Sequence, residues 1–255
     1  MARNPLRKPL SKNTFAPSNW EKKPVAAQGG LTEQDAAAMA QKHAPEAFLV
    51  CCIDSRFQPA KILGYGPGVT LEHRPIACVI PPEDKASADF LARMAFRRLN
   101  NISSIVLVCH SDCGGIQAAL NVPRPDEKNG GDLHAVAAFV HQSGLDLSRL
   151  GRELLTEEKG DMRRAGDRLA RDVAVQSLHN LLGYKGRDGF TTVADEVKAG
   201  ALNVMVLYYD LERRGFEVYD ARKQKWRAAA NAETLFMKPP MGSKGCADHA
   251  NCPGH

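Results

Sequence analysis

Two short apolar runs constrain this chain more than any other feature. Ala47–Cys52 is apolar throughout and Ile102–Cys109 is rich in Ile and Val, and each is followed by a polar cluster. The first leads into Asp54-Ser55-Arg56 and the second into His110-Ser111-Asp112-Cys113. Runs of this length suit strands of a parallel sheet that is buried on both faces. Phe48–Cys52 and Ile105–Cys109 have five residues each, and no unbroken apolar stretch of the chain exceeds seven. About 20 are needed to cross a bilayer, so the reading excludes a membrane protein.

The rest of the chain alternates in the same way. Thr32 and the acidic residues after it open a helix that continues over Ala36–His43 and is blocked by Pro45. Helices are expected at Pro59–Leu63, Ala86–Leu99, Gly114–Leu120, Leu133–Gln142, Asp161–Leu182 and Thr192–Lys198. Extended segments are expected at Val69–Leu71, Ile76–Ile80 and Val204–Tyr209, with Gly215–Tyr219 closing a hairpin on the last. No element is assigned to 143–160 or beyond Tyr219. This order predicts one α/β domain with a mainly parallel central sheet flanked by helices, an antiparallel late strand and extended termini. Three segments follow: a basic arm over 1–30, the domain over 31–237, and a Cys/His-containing tail over 238–255. In such sheets ligands bind beyond the carboxyl ends of strands, where both polar clusters fall.

Charge narrows the partners. Arg3, Arg7, Lys8, Lys12, Lys22 and Lys23 face a single Glu21, and this local +5 equals the net charge of the whole chain. The remainder is neutral overall, which disfavours a nucleic-acid-binding face. The opening residues lack the apolar core of a secretory signal, so a cytoplasmic protein is expected.

Seven cysteines are an odd number for a disulfide framework and point to metal binding or catalysis. Zinc favours Cys sulfur and His nitrogen, and catalytic sites use three protein ligands with one open position. His110 and Cys113 offer a nitrogen and a sulfur three residues apart, at a turn from strand to helix. Cys52, at the end of a neighbouring strand, offers a third donor. Taken singly, each is equally read as a buried, inert residue. Cys51 and Cys109 alternate with the donors along their strands and should point into the core. In the tail, Cys246, His249, Cys252 and His255 recur at intervals of three, a candidate second metal site whose alternative is a weakly chelating terminus.

Cys52-Ile-Asp54-Ser55-Arg56, then Glu72-His-Arg74, then His110-Ser-Asp-Cys113-Gly114-Gly115, resembles the β-class carbonic anhydrases. Tyr208-Tyr-Asp210-Leu with Gly215-Phe-Glu-Val218 is similar to that family's late hairpin. The resemblance covers roughly residues 31–220. It implies zinc held by Cys52, His110 and Cys113, and reversible hydration of carbon dioxide to bicarbonate and a proton by zinc-bound hydroxide. It also implies at least a homodimer, or a higher even oligomer, with the segment Leu31–His43 embracing the partner.

Asp54 is close enough in sequence to Cys52 to accept a hydrogen bond from a zinc-bound nucleophile, and Arg56 can hold Asp54 as a bidentate pair. The alternative is a structural ion pair that caps a helix. Gly114 and Gly115 allow the close turn after the last ligand. They are expected at the substrate site together with Arg74, which is alternatively a surface or interface cation. His43 stands where many members have Gln, and is read either as a substrate-site residue or as a helix-end histidine. Pro75 replaces a usual Asn, so the pocket wall is altered. The altered wall opens a second reading, hydrolysis of carbonyl sulfide or carbon disulfide on the same scaffold. A third is a zinc- or bicarbonate-binding sensor or scaffold without catalysis.

Overall fold

The two apolar runs lie side by side in a six-stranded sheet. The computed structural model describes residues 45–229 except positions 67, 127, 129 and 187, together with Ala37, Ala40 and His43. Ala37 and Ala40 are helical, inside the helix expected to end at His43, and belong to a unit that closes at that residue. The fold below is that of the second unit, which begins at Ala44. The arm over 1–30 and the tail over 238–255 lie outside the described residues.

The strands are β1 (Ala47–Cys51), β2 (Thr70–His73), β3 (Ser104–His110), β4 (Asn203–Asp210), β5 (Gly215–Asp220) and β6 (Lys225–Ala229). Their order is β2-β1-β3-β4-β5-β6. The first four are parallel, with Phe48 opposite Ile105 and Ile105 opposite Val204, and β5 and β6 add as antiparallel hairpins. Side chains alternate between two buried faces. Phe48, Val50, Ile105, Leu107, Val206 and Tyr208 point into the larger core, and Leu49, Cys51, Val106, Val108, Leu207 and Tyr209 into the smaller.

On the larger side pack helices α2 (Ala88–Leu99), α3 (Gly114–Asn121), α4 (Gly131–His141), α5 (Leu147–Glu157), α6 (Met162–Leu182) and α7 (Val193–Lys198). The short α1 (Pro59–Ile62), which precedes them in the chain, packs on the smaller core through Ala60 and Ile62. Local signals start most of these helices. Ser87, Asp146 and Asp161 accept from the backbone N–H three residues on, and Thr192 with Asp195 forms a capping box.

Three segments depart from the sequence reading. Ile76–Ile80 is not extended: Ile76–Cys78 is a tight 3₁₀ turn in which Ala77 and Cys78 have φ of +56° and +60°. The apolar run between Pro75 and Pro81 has the look of a strand, but its backbone partners come from side chains. Ser177 Oγ accepts from Ile80 N–H at 3.0 Å, Asn180 Nδ2 donates to Ile80 O at 2.7 Å, and Tyr184 Oη donates to Pro81 O at 2.9 Å. Polar groups on and just beyond α6 thus replace a strand ladder. Helix α5 was absent from the reading because Gly151 interrupts it, although Leu147, Leu150 and Leu154 hold the apolar spacing. Strand β6, too, is an addition, so the late antiparallel part has two strands.

Candidate metal centre

Cys52 leaves β1 and His110 ends β3, so strand pairing alone brings these two residues to the same end of the sheet. Cys113 follows after one tight turn, as the residue that caps α3. The Cys52 Sγ, Cys113 Sγ and a ring nitrogen of His110 all lie within 4.8 Å of one another, and all three residues are buried. The two sulfurs are 3.8 Å apart.

The turn is pinned on both sides. Ser111 N–H donates to Tyr209 O and Leu211 N–H donates to Ser111 Oγ, both at 2.9 Å, so the pairing with β4 runs past the end of β3. The His110 ring packs against Phe57, their centroids 5.6 Å apart. Gly115 is required for the other side. A Cβ there would lie 2.4 Å from Ile76 Cγ2 and 3.4 Å from the Ala77 Cβ, so α3 can start here only without one.

The donor set fits a zinc ion by its own chemistry. His110 Nδ1 lies 2.8 Å from Ser111 O; a carbonyl only accepts, so Nδ1 carries the proton and Nε2 keeps a free lone pair. That Nε2 is buried with no hydrogen-bond partner among the described residues. An orphaned imidazole nitrogen facing two cysteines is what a metal would satisfy. The thiol of Cys52 is held well below its usual range, chiefly by the hydrogen bond from Cys113 and then by His110. The Cys113 thiol, sharing the proton, is pushed up. Burial lowers the pKa of His110, but Cys52, the Ser111 carbonyl and Asp54 together more than offset this and the net shift is upward. Two sulfurs competing for one proton mark a pair that a divalent cation would deprotonate fully.

Beside the donors, Asp54 Oδ2 is 4.0 Å from His110 Nε2. Arg56 grips Asp54 through Nε to Oδ1 at 3.1 Å and Nη2 to Oδ2 at 2.7 Å, and its backbone N–H adds a 2.9 Å bond to Oδ1. These bonds are the main reason the Asp54 carboxyl is lowered to about 2, so it is ionised at neutral pH. The loop they occupy is braced from β2. Arg74 donates Nε to Cys52 O at 3.0 Å, and Nη2 to Asp54 O at 2.8 Å and Phe57 O at 2.7 Å.

Arg74 therefore shapes the loop that carries Cys52 and Asp54, a task its sequence position did not reveal. It also lines a cavity of about 300 Å³ with Ile53, Pro75, Ile76, Val79 and Phe90. Gly114 opens α3 with no atom near its missing Cβ. His43 is exposed and belongs to the other unit. The tail residues Cys246, His249, Cys252 and His255 lie outside the described residues. Cys51 and Cys109 are buried and free, with Cys109 Sγ 3.4 Å from Leu207 O, and burial raises both thiols.

Two carboxylates near the site escaped the sequence reading. Asp112 Oδ2 and Asp112 O each lie 2.8 Å from the Arg56 guanidinium. Asp167, on α6, accepts the Asp112 N–H through Oδ1 at 2.8 Å. Asp112 is visible as the residue before Cys113, whereas nothing in the sequence ties Asp167 to that turn.

A family profile described as carbonic anhydrase matches residues 47–215. The chain is 27% identical over 182 residues to β carbonic anhydrase 5, chloroplastic, of Arabidopsis thaliana, which covers 70% of this chain and 56% of that protein. It is 24% identical over 194 residues to a carbonic anhydrase of Pseudomonas aeruginosa, covering 76% and 81%. The chain thus spans little more than half the length of the first of these relatives. Among solved structures, the β-carbonic anhydrase CafA of Aspergillus fumigatus is 26% identical with a TM-score of 0.59, covering 77% of this chain and 84% of that one. A chain from the crystal structures of two tetrameric β-carbonic anhydrases of Sordaria macrospora shares the fold at 23% identity and a TM-score of 0.59, covering 76% of this chain and 88% of that one. The matched profile runs from the first strand to the start of β5 and takes in both polar clusters; the chain belongs to the β class of the carbonic anhydrase family.

Proposed function

We propose that this protein is a zinc-dependent carbonic anhydrase, interconverting carbon dioxide with bicarbonate and a proton. The observation that carries the reading is the buried Cys52–His110–Cys113 group with an ionised Asp54 beside it. A zinc ion bound by these donors would supply an activated water near neutral pH. The chain's own residues do the rest. The two cysteines and His110 Nε2 would hold the ion, with Ser111 O fixing the imidazole tautomer. Asp54, ionised and clamped by Arg56, is the acceptor that orients the attacking group and takes its hydrogen bond. Arg74 keeps the Cys52–Phe57 loop in register, and the cavity that it lines with Ile53, Ile76 and Val79, which would admit an uncharged linear substrate, is mostly apolar. Gly114, Gly115, Arg74 and His43 remain proposed contributors to the substrate site.

An even oligomer is part of the proposal, and so is a cytoplasmic location. No helix among the described residues is long and apolar enough to cross a membrane. The test is stopped-flow hydration on zinc-loaded protein, run beside Asp54→Ala, with carbonyl sulfide as a parallel substrate. Wild type should turn over carbon dioxide. Asp54→Ala should keep its zinc and lose about 10²–10⁴-fold in kcat, the usual cost of one positioned acid–base group. Wild-type rates in Asp54→Ala at every pH would make Asp54 structural. Turnover of carbonyl sulfide alone would select the second substrate class.

A further inference from the structure

Arg56 is gripped from two sides. Asp54 takes Nε and Nη2, while Asp112 takes Nη1 with its carboxylate and Nη2 with its carbonyl. Asp112 turns both oxygens toward the guanidinium from a left-handed backbone, φ +52°, a conformation that Asp tolerates better than most residues and that a hydrogen bond to its N–H would hold in place. That bond comes from Asp167, whose Oδ1 accepts the Asp112 N–H at 2.8 Å from the flank of α6. The preceding residue, Gly166, lies against α3. A Cβ there would lie 2.3 Å from Gln117 Nε2 in α3. Among the described residues Asp167 bonds to none of the three donors, nor to Asp54 or Arg56. Its hydrogen-bonded path to Asp54 runs through Asp112 and Arg56, while Asp112 also adjoins Cys113 in the chain.

We propose that Asp167 is a positioning residue for the hydration reaction, holding the Asp112 turn so that Arg56 keeps Asp54 aimed at the metal centre. This rests on the carbonic anhydrase reading above. The experiment compares Asp167→Ala and Asp167→Asn, each alone and in an Arg56→Ala background, by zinc content, kcat, KM and amide hydrogen exchange at Asp112. Asp167→Ala should keep its zinc and KM and lose about tenfold in kcat, a typical cost for a partner one shell behind a metal site. Asp167→Asn, whose amide oxygen still accepts from the Asp112 N–H, should recover most of that loss. With Arg56 already removed, losing Asp167 should cost no more than about twofold further, because the route is already cut. The Asp112 amide should exchange slowly in wild type and fast in Asp167→Ala.

A folded Asp167→Ala with kcat within about twofold of wild type overturns the proposal, and so does full multiplication of the two losses. If Asp167→Ala does not fold, a fast-exchanging Asp112 amide in the wild type overturns it, and slow exchange with near-normal kcat in Asp167→Asn supports it. A wild type without hydration activity, whose Asp112 amide still responds to Asp167, sinks the carbonic anhydrase reading while upholding the hold of Asp167 on the turn.

Discussion

Cys113 has two tasks at one position, and they can be separated. Its sulfur is a candidate metal donor, and its backbone opens α3. Serine is a good helix cap but a poor, protonated zinc ligand. Cys113→Ser should therefore stay folded while losing zinc and hydration together, read by metal analysis beside a thermal melt. One full zinc per chain in that variant would remove Cys113 from the donor set. His73 makes a different kind of prediction. It lies on β2 with its ring 4.8 Å from that of Phe90, and burial first, then Arg93, lowers its pKa to about 4 against the opposing pull of Asp89. At neutral pH it is uncharged, so its 3.8 Å contact with Asp89 is not an ion pair. The unfolded chain takes up this proton near pH 6.5 and the folded one only near pH 4. Stability is therefore complete above pH 6.5 and falls as pH drops through that window. The loss at pH 5 should be about 1–2 kcal/mol. His73→Phe should remove it, measured as the difference in urea unfolding between pH 7.5 and pH 5. An equal difference in both proteins would assign the effect elsewhere.

At the scale of elements, the start of α3 depends on a turn that is itself strained. Ala77 and Cys78 are left-handed in succession, and Ile76 and Ala77 occupy the space a Gly115 side chain would need. Gly115→Ala should cost about 1–3 kcal/mol, because a turn locked by its backbone cannot retreat from an added methyl. Ile76→Ala in the same protein should recover part of that loss. A calorimetric melt of the two variants decides it, and an unchanged midpoint for Gly115→Ala would show that the turn yields. Gly166→Ala should cost less, since its obstacle is only the far end of Gln117. These elements also show what sequence can reveal. Strands β1 and β3 were legible because each is a continuous apolar run that stops at polar residues, and α6 because of its long apolar period. The Ile76–Cys78 turn was not, because its partners Ser177, Asn180 and Tyr184 lie about a hundred residues away. The grouping of Cys52, His110 and Cys113 was legible because metal chemistry restricts residue type and spacing together. Asp167 was not, since one backbone hydrogen bond leaves no pattern in the chain.

At the scale of the whole molecule, the Cys246, His249, Cys252 and His255 tail bears on metal stoichiometry. We expect truncation after Lys238 to lower bound zinc from about two to about one per chain while hydration persists. Metal analysis checks the first part and stopped flow the second. Unchanged zinc would remove the second site, and lost hydration would make the tail part of the enzyme. The sheet order has a consequence of another kind, for the order in which the chain is made. The edge of β3 is covered by β4, and Asn203 follows His110 by 93 residues. A ribosome adding 5–20 residues per second would need about 5–20 s to supply that cover. For that interval Ile105–Cys109, apolar on both faces, has an open edge with unpaired backbone groups, the kind of template on which chains aggregate. Synthesis, rather than the finished fold, is when this edge stands open to a second chain.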